Sequence, residues 1–145
     1  MTKRCGWVKM NNPLYVPYHD EEWGYPLHDD QALFELLCME TYQAGLSWET
    51  VLNKRQAFRE AFHGYQIQAV AEMADGELEA LLENPAIIRN RSKLFATRAN
   101  AQAFLQIQKT FGSFDAYLWS FVEGKTIVND VPDYHLAPAK TALSE

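Results

Sequence analysis

The stretch NPAIIRNRSKLFATRANAQAFLQIQKTFG, from Asn84 to Gly112, decides the fold. Asn84-Pro85 breaks the pattern that precedes it, and Asn90 can cap a long helix for which Gly112 supplies the C-terminal stop. Apolar side chains recur along this helix at helical spacing and are predicted to face inward: Leu94, Phe95, Ala101, Leu105 and Phe111. The stretch therefore predicts a short break followed by one long helix.

A second helix is predicted earlier in the chain, in the segment that carries Glu40. Asp29 or Asp30 can cap it, because either residue precedes a run of apolar side chains at helical spacing. Gly45 interrupts the pattern soon afterwards. Glu40 is therefore predicted to lie near a helix end.

A third helix is predicted to begin after Ser47, which can serve as its N-cap. Its apolar stripe is expected to continue unbroken to Gly64 through five residues: Trp48, Val51, Leu52, Phe58 and Phe62. Few segments of the chain alternate with period two. We therefore predict an all-α fold, formed by one domain over residues 1–145 with an irregular tail at 125–145.

Composition limits the possible classes of function. The chain has 145 residues, of which 48% are hydrophobic, and a formal net charge of -6. This charge argues against coating DNA or an anionic membrane by bulk electrostatics, so any DNA contact must be local. Two cysteines are too few for a disulfide framework, and no apolar run approaches the roughly 20 residues of a membrane span. We expect a cytoplasmic, monomeric protein without membrane contact.

One segment has the opposite charge to the rest of the chain. No Asp or Glu occurs from Asn84 to Phe114, and the segment carries a local charge of +5. Arg89, Arg91 and Lys93 crowd the start of the long helix, where free N–H groups favour an anion. These three cations are predicted to bind one or two DNA backbone phosphates, although a solvated helix face is the usual role of such a run. The segment also resembles a helix-hairpin-helix element without its glycine-rich turn.

Aromatic residues surround Glu40 in the first third of the sequence: Trp7, Tyr15, Tyr18, Trp23, Tyr42 and Trp48. Ring faces attract a flat cation by stacking and cation-π interaction, and a carboxylate adds a charge-assisted hydrogen bond. A cationic, alkylated nucleobase is one target of this kind. The alternative is that the tryptophans belong to the core and that Glu40 is an ordinary surface residue.

Five motifs together resemble the DNA-3-methyladenine glycosylase I family. They follow one another in order from residue 4 to about residue 122: RCGW at Arg4–Trp7, PLYVPYHDEEWG at Pro13–Gly24, ETYQAGLSWETVLNKR at Glu40–Arg55, IIRNRSK at Ile87–Lys93 and WSFV at Trp119–Val122. The resemblance implies a helix-hairpin-helix DNA glycosylase-like helical bundle. It also implies hydrolysis of the N-glycosidic bond of 3-methyladenine in alkylated double-stranded DNA, with free 3-methyladenine as the product of this base excision repair step.

The resemblance assigns roles to individual residues. It implies that Glu40 hydrogen-bonds the flipped base as the catalytic residue, that Trp48 stacks on the base and that Tyr18 lines the same pocket. Three further residues are implied to form or support the pocket wall: Trp7, Tyr15 and Trp23. Because a 3-methylated adenine is already cationic on the sugar, it leaves as a neutral base and needs little protonation, so binding and orientation provide most of the catalysis.

A structural zinc ion is also implied by the resemblance. Cys5 and His19 would each supply one ligand, and zinc takes four ligands in a structural site. In the family the other two come from a C-terminal segment, and this chain is expected to end before that segment. Cys38 lies among apolar residues and is predicted to belong to the core.

Two other functions remain open from the sequence. The first is a non-catalytic binder of alkylated bases, in which part of the DNA-binding surface is missing. The second is a pocket for a methylated or quaternary ammonium group on a partner protein, because the same rings and carboxylate would suit it. The basic segment that begins at Asn84 favours DNA over the second alternative.

Overall fold

The computed structural model describes residues 3–145, and helices form its regular structure. In chain order the α-helices are α1 Tyr15–Glu21, α2 Asp30–Tyr42, α3 Trp48–Asn53, α4 Arg55–Ala61, α5 Ile67–Ala71, α6 Asp75–Leu81, α7 Arg91–Phe111 and α8 Phe114–Ser120. Short 3-10 turns occur at His63–Tyr65 and Tyr134–Leu136. No strand is present in residues 3–145, so the predicted all-α class is confirmed. In the same range no helix has the length and apolar character needed to cross a membrane.

The chain forms two compact units. The first contains the described residues up to Pro26 together with those from Leu118 onwards, and the second contains Leu27–Tyr117. Residues 125–145 belong to the first unit, and their regular structure is limited to the turn Tyr134–Leu136. The predicted single-domain organisation stays a prediction.

The predicted helix starts in the second unit are confirmed by side-chain caps. Asp29 accepts a hydrogen bond from the backbone N–H of Ala32, and Ser47 accepts one from that of Thr50. Asn90 caps α7 in the same way, through the N–H of Lys93 at 3.1 Å. Each cap satisfies an amide that the first turn of a helix leaves without an internal partner.

Helix α7 is the central element of the second unit and packs against α2, α5 and α6. Its buried face is formed by Leu94, Thr97, Ala101 and Phe104, which follow one another at intervals of three or four residues. The predicted inward position of Phe111 is wrong, because its side chain is 53% exposed at the end of the helix. There its ring lies 4.9 Å from that of Tyr117.

The predicted helix after Ser47 is divided in two at Lys54. The backbone N–H of Lys54 bonds to the carbonyls of Val51 and Leu52, which tightens the chain and ends α3 before α4 begins. The apolar stripe survives the break, since Val51, Leu52, Phe58 and Phe62 are all buried. Trp48, at the start of α3, is only half-buried.

A buried carboxylate joins α2 to α4. Glu35 is 8% exposed and accepts hydrogen bonds from Arg55 at 2.8 Å and from Arg59 at 2.7 and 2.8 Å. Burial alone would raise the pKa of Glu35, but the two guanidinium groups outweigh it and hold that pKa below its ordinary value. The ion cluster therefore fixes the helix that carries Glu40 against the segment that follows Trp48.

Candidate active site

Glu40 lies in the last turn of α2. Its side chain is exposed, and its carboxylate makes no hydrogen bond or ion pair with any of residues 3–145, while nearby protein displaces enough water to raise its pKa. The group is therefore partly desolvated and has no cation of its own. A carboxylate in this state gains more from an incoming cationic donor than a fully hydrated one does.

A short turn connects Glu40 to Trp48. The N–H of Leu46 donates to the carbonyl of Gln43 at 2.7 Å, and the Gln43 side-chain amide donates back to the carbonyl of Leu46 at 3.0 Å. Gly45 adopts a φ of +79°, a conformation that costs glycine little. Glu40 and Trp48 thus lie on either side of one defined turn, in the same unit.

Polar groups beneath the end of α2 form a buried chain. The Tyr65 hydroxyl donates to the Tyr42 hydroxyl at 3.2 Å, which in turn lies 2.9 Å from the hydroxyl of Thr97. Thr97 donates to the carbonyl of Lys93 at 2.9 Å. Next to this chain, burial raises the pKa of the Cys38 thiol to about 12, and Cys38 is fully buried, as predicted.

The aromatic residues of the first unit form one cluster with Trp7 at its centre. The Trp7 ring lies 5.2 Å from Trp23, 5.8 Å from Tyr15 and 6.5 Å from Tyr18. Tyr15 is buried, whereas Trp23 is 49% exposed. The four residues singled out near the N-terminus therefore contact one another, and their role at the base stays a prediction.

Cys5 and His19 also lie close together in the first unit. The Cys5 N–H is 3.4 Å from Nε2 of His19, whose Nδ1 is 2.8 Å from a carboxylate oxygen of Asp20. No group of three or more His, Cys, Asp or Glu residues that could hold a metal is found within residues 3–145. These two side chains do not by themselves fit a four-ligand zinc site, and the zinc ion stays a prediction.

The three cations predicted to bind phosphate differ in their surroundings. Arg89 is exposed and contacts none of residues 3–145 through a hydrogen bond or ion pair. Arg91 is paired with Glu79 of α6 at 2.8 Å and lies over the ring of Phe95. Lys93 donates hydrogen bonds to the carbonyl of Tyr42, the last residue of α2, and to that of Ala44 in the following turn. Arg89 is thus the member of this trio that no described residue pairs with, and the predicted phosphate contacts of all three stay a prediction.

Comparison with known proteins identifies the family. The model of the methyladenine glycosylase family matches residues 7–145. This chain is a methyladenine glycosylase family member. The resemblance inferred from the five motifs is thereby confirmed.

Individual members of the methyladenine glycosylase family resemble the chain over most of its length. A DNA-3-methyladenine glycosylase of Haemophilus influenzae is 48% identical over 145 residues, which are 100% of this chain and 78% of that protein. A crystal structure of 3-methyladenine DNA glycosylase I superposes with a TM-score of 0.92 at 42% identity and covers 97% of this chain and 77% of that one. A structure of the Staphylococcus aureus enzyme, described as the structural basis of 3-methyladenine recognition, superposes with a TM-score of 0.77 at 44% identity. It covers 79% of this chain and 61% of that one.

The tertiary contacts of two residues, Glu35 and Lys93, were not predicted from the sequence. Glu35 sits on an apolar helix face, and its spacing of 20 and 24 residues from Arg55 and Arg59 carries no periodic signal. Lys93 was grouped with its basic neighbours, although it is directed at the carbonyls of Tyr42 and Ala44, about 50 residues away in sequence. Both contacts depend on tertiary packing, which no local pattern encodes.

Proposed function

We propose that this chain hydrolyses the N-glycosidic bond of 3-methyladenine in alkylated DNA. The observation that carries the proposal is the Glu40 carboxylate, which is accessible, has a raised pKa and has no partner in residues 3–145, on a residue separated from Trp48 by one defined turn. Such a group favours a cationic ligand, because a cationic donor forms a charge-assisted hydrogen bond with the carboxylate. The family relationship supplies the substrate class.

The reaction needs little acid catalysis. The base bears a positive charge while attached to the sugar, so the bonding electrons of the broken C–N bond leave with a base that becomes neutral. The sugar is left as a cation, to which water adds with loss of a proton to the solvent, and this yields an abasic site. Glu40 binds and orients the cationic base, and Trp48 provides a ring face at which the flipped base stacks. Binding and orientation of the flipped base therefore provide most of the catalysis.

An excision assay tests this proposal. The chain is incubated with methylated duplex DNA, and free 3-methyladenine and 7-methylguanine are measured by chromatography. We expect release of 3-methyladenine with negligible release of 7-methylguanine. Binding of 3-methyladenine without any release would instead support the non-catalytic binder, and tight binding of a methylated peptide alone would support the ammonium-binding alternative.

Arg89 is expected to contribute a phosphate contact to this reaction. Replacing it by alanine removes one cation that no residue of the described chain neutralises. Affinity for duplex DNA should therefore fall by the same factor whatever the base sequence of the DNA. The slope of log affinity against log salt should decrease by about 1. Fluorescence anisotropy at several salt concentrations measures both quantities.

Lys109→Ala provides the control for Arg89→Ala. Lys109 is exposed near the other end of α7 and makes no hydrogen bond or ion pair within residues 3–145. The two variants lose the same charge. If both weaken DNA binding equally, the effect is one of net charge and the contact assigned to Arg89 is refuted.

A further inference from the structure

We propose that Lys93 is a positioning residue for the base-binding site, holding the turn that joins the helix of Glu40 to Trp48. The inference rests on the proposed function, because it concerns the same site. It assigns to Lys93 a role in base binding that is independent of DNA phosphates. Lys93 itself contacts neither the base nor the reacting atoms.

The contacts of Lys93 are directed at backbone carbonyls. Its Nζ lies 2.7 Å from the carbonyl oxygen of Tyr42 and 2.7 Å from that of Ala44. Tyr42 is the last residue of α2, where carbonyls lack an intrahelical partner and carry the negative end of the helix dipole. A cation at this place forms short, charge-assisted hydrogen bonds and fixes the chain on both sides of Gln43.

The backbone of Lys93 is itself held in place. Its backbone N–H is capped by Asn90 and its carbonyl accepts the hydrogen bond of Thr97 one turn later. Thr97 is fully buried and lies 2.9 Å from the Tyr42 hydroxyl. Helix α7 therefore bonds to Tyr42 at two places. Lys93 bonds to its backbone carbonyl, and Thr97 bonds to its side-chain hydroxyl.

The contacts made by Thr97 and by Lys93 have different consequences. The Thr97 contact lies in the core, so it maintains the packing of α2 on α7 without Lys93. The Ala44 contact lies outside the helix, in the exposed turn that leads towards Trp48. Loss of the ammonium group should therefore free the turn while the fold persists. Since two of its three N–H donors are used in this way, Lys93 differs from Arg89, whose donors all remain available.

The test is the affinity for free 3-methyladenine in the absence of DNA. We compare wild type, Lys93→Met, Lys93→Arg and the control Lys109→Met by isothermal titration calorimetry, together with their melting temperatures. Lys93→Met should bind the base roughly 10- to 100-fold more weakly, since small misplacements of a binding group are costly. Lys93→Arg should recover part of the loss, and Lys109→Met should bind as wild type does.

Several outcomes would overturn the inference. If Lys93→Met bound free base normally but bound duplex DNA more weakly, Lys93 would be a phosphate contact. If Lys93→Met is too unstable for titration, amide hydrogen exchange in Lys93→Gln decides: exchange at Leu46, whose N–H bonds to the Gln43 carbonyl, should quicken at least tenfold relative to α5, and unchanged exchange refutes the role. A wild-type chain that neither binds nor releases 3-methyladenine would instead refute the proposed function.

Discussion

Replacement of Glu40 by glutamine is expected to reduce the single-turnover release of 3-methyladenine by about 10- to 150-fold. The substitution keeps the shape of the side chain but removes its charge, and a hydrogen bond to a charged group stabilises by about 1.5–3 kcal/mol. The burial that raises the pKa of Glu40 makes this charge more effective toward a cationic base. The measurement is the rate of base release from methylated duplex DNA.

Glu60→Gln is the matched control for Glu40→Gln. Glu60 is exposed on α4 and has one long hydrogen bond, at 3.4 Å from the Gln56 amide. The Glu60→Gln variant should release the base at the wild-type rate. Since Glu40 must be ionised, wild-type release should decline as the pH falls through its raised pKa, whereas Glu40→Gln should lack that decline. Equal rates for Glu40→Gln and wild type would remove Glu40 from the mechanism.

Replacement of Glu35 by glutamine is expected to lower the free energy of unfolding by about 2 kcal/mol. Loss of the buried carboxylate leaves the positive charges of two arginines close together, and removing one partner of a buried ion pair commonly costs about 3–5 kcal/mol. Arg55 and Arg59 are partly exposed, so solvent screening reduces this cost. Urea unfolding followed by far-ultraviolet circular dichroism measures the change. Glu60→Gln should change stability by less than about 0.5 kcal/mol.

The Glu35 effect should depend on pH in a defined direction. Its pKa is lower in the folded chain than its ordinary value of 4.5, so the stability it contributes is fully present above that value. The contribution is lost as the pH falls through the lowered pKa. The stability difference between wild type and Glu35→Gln should therefore be constant near neutral pH and shrink in acid. A difference that grew in acid would contradict the ion cluster.

Local features of the fold could be predicted from the sequence because they depend on neighbours in the chain. The caps at Asp29, Ser47 and Asn90 each need only a polar side chain and an amide three residues later. The end of α7 at Gly112 is equally local, since glycine readily adopts its φ of +87°. The position of Glu40 near a helix end followed from the same kind of signal.

Features that depend on tertiary packing could not be predicted in this way. The apolar stripe after Ser47 continues through Lys54, so the pattern gave no sign of the break between α3 and α4. The basic run Arg89–Lys93 looked uniform, although α6 supplies a partner to Arg91, while Tyr42 of α2 and Ala44 of the following turn each supply a carbonyl to Lys93. A residue's partner from another helix decides its role, and only the folded chain shows that partner.

The buried thiol beside Tyr42 bears on survival of the protein under the conditions in which its proposed substrate arises. Methylating agents attack the thiolate form of cysteine, and a pKa of about 12 leaves almost none of that form in Cys38 at neutral pH. Full burial also denies such reagents access to the sulfur. The Cys38 thiol is therefore shielded from the agents that methylate DNA bases.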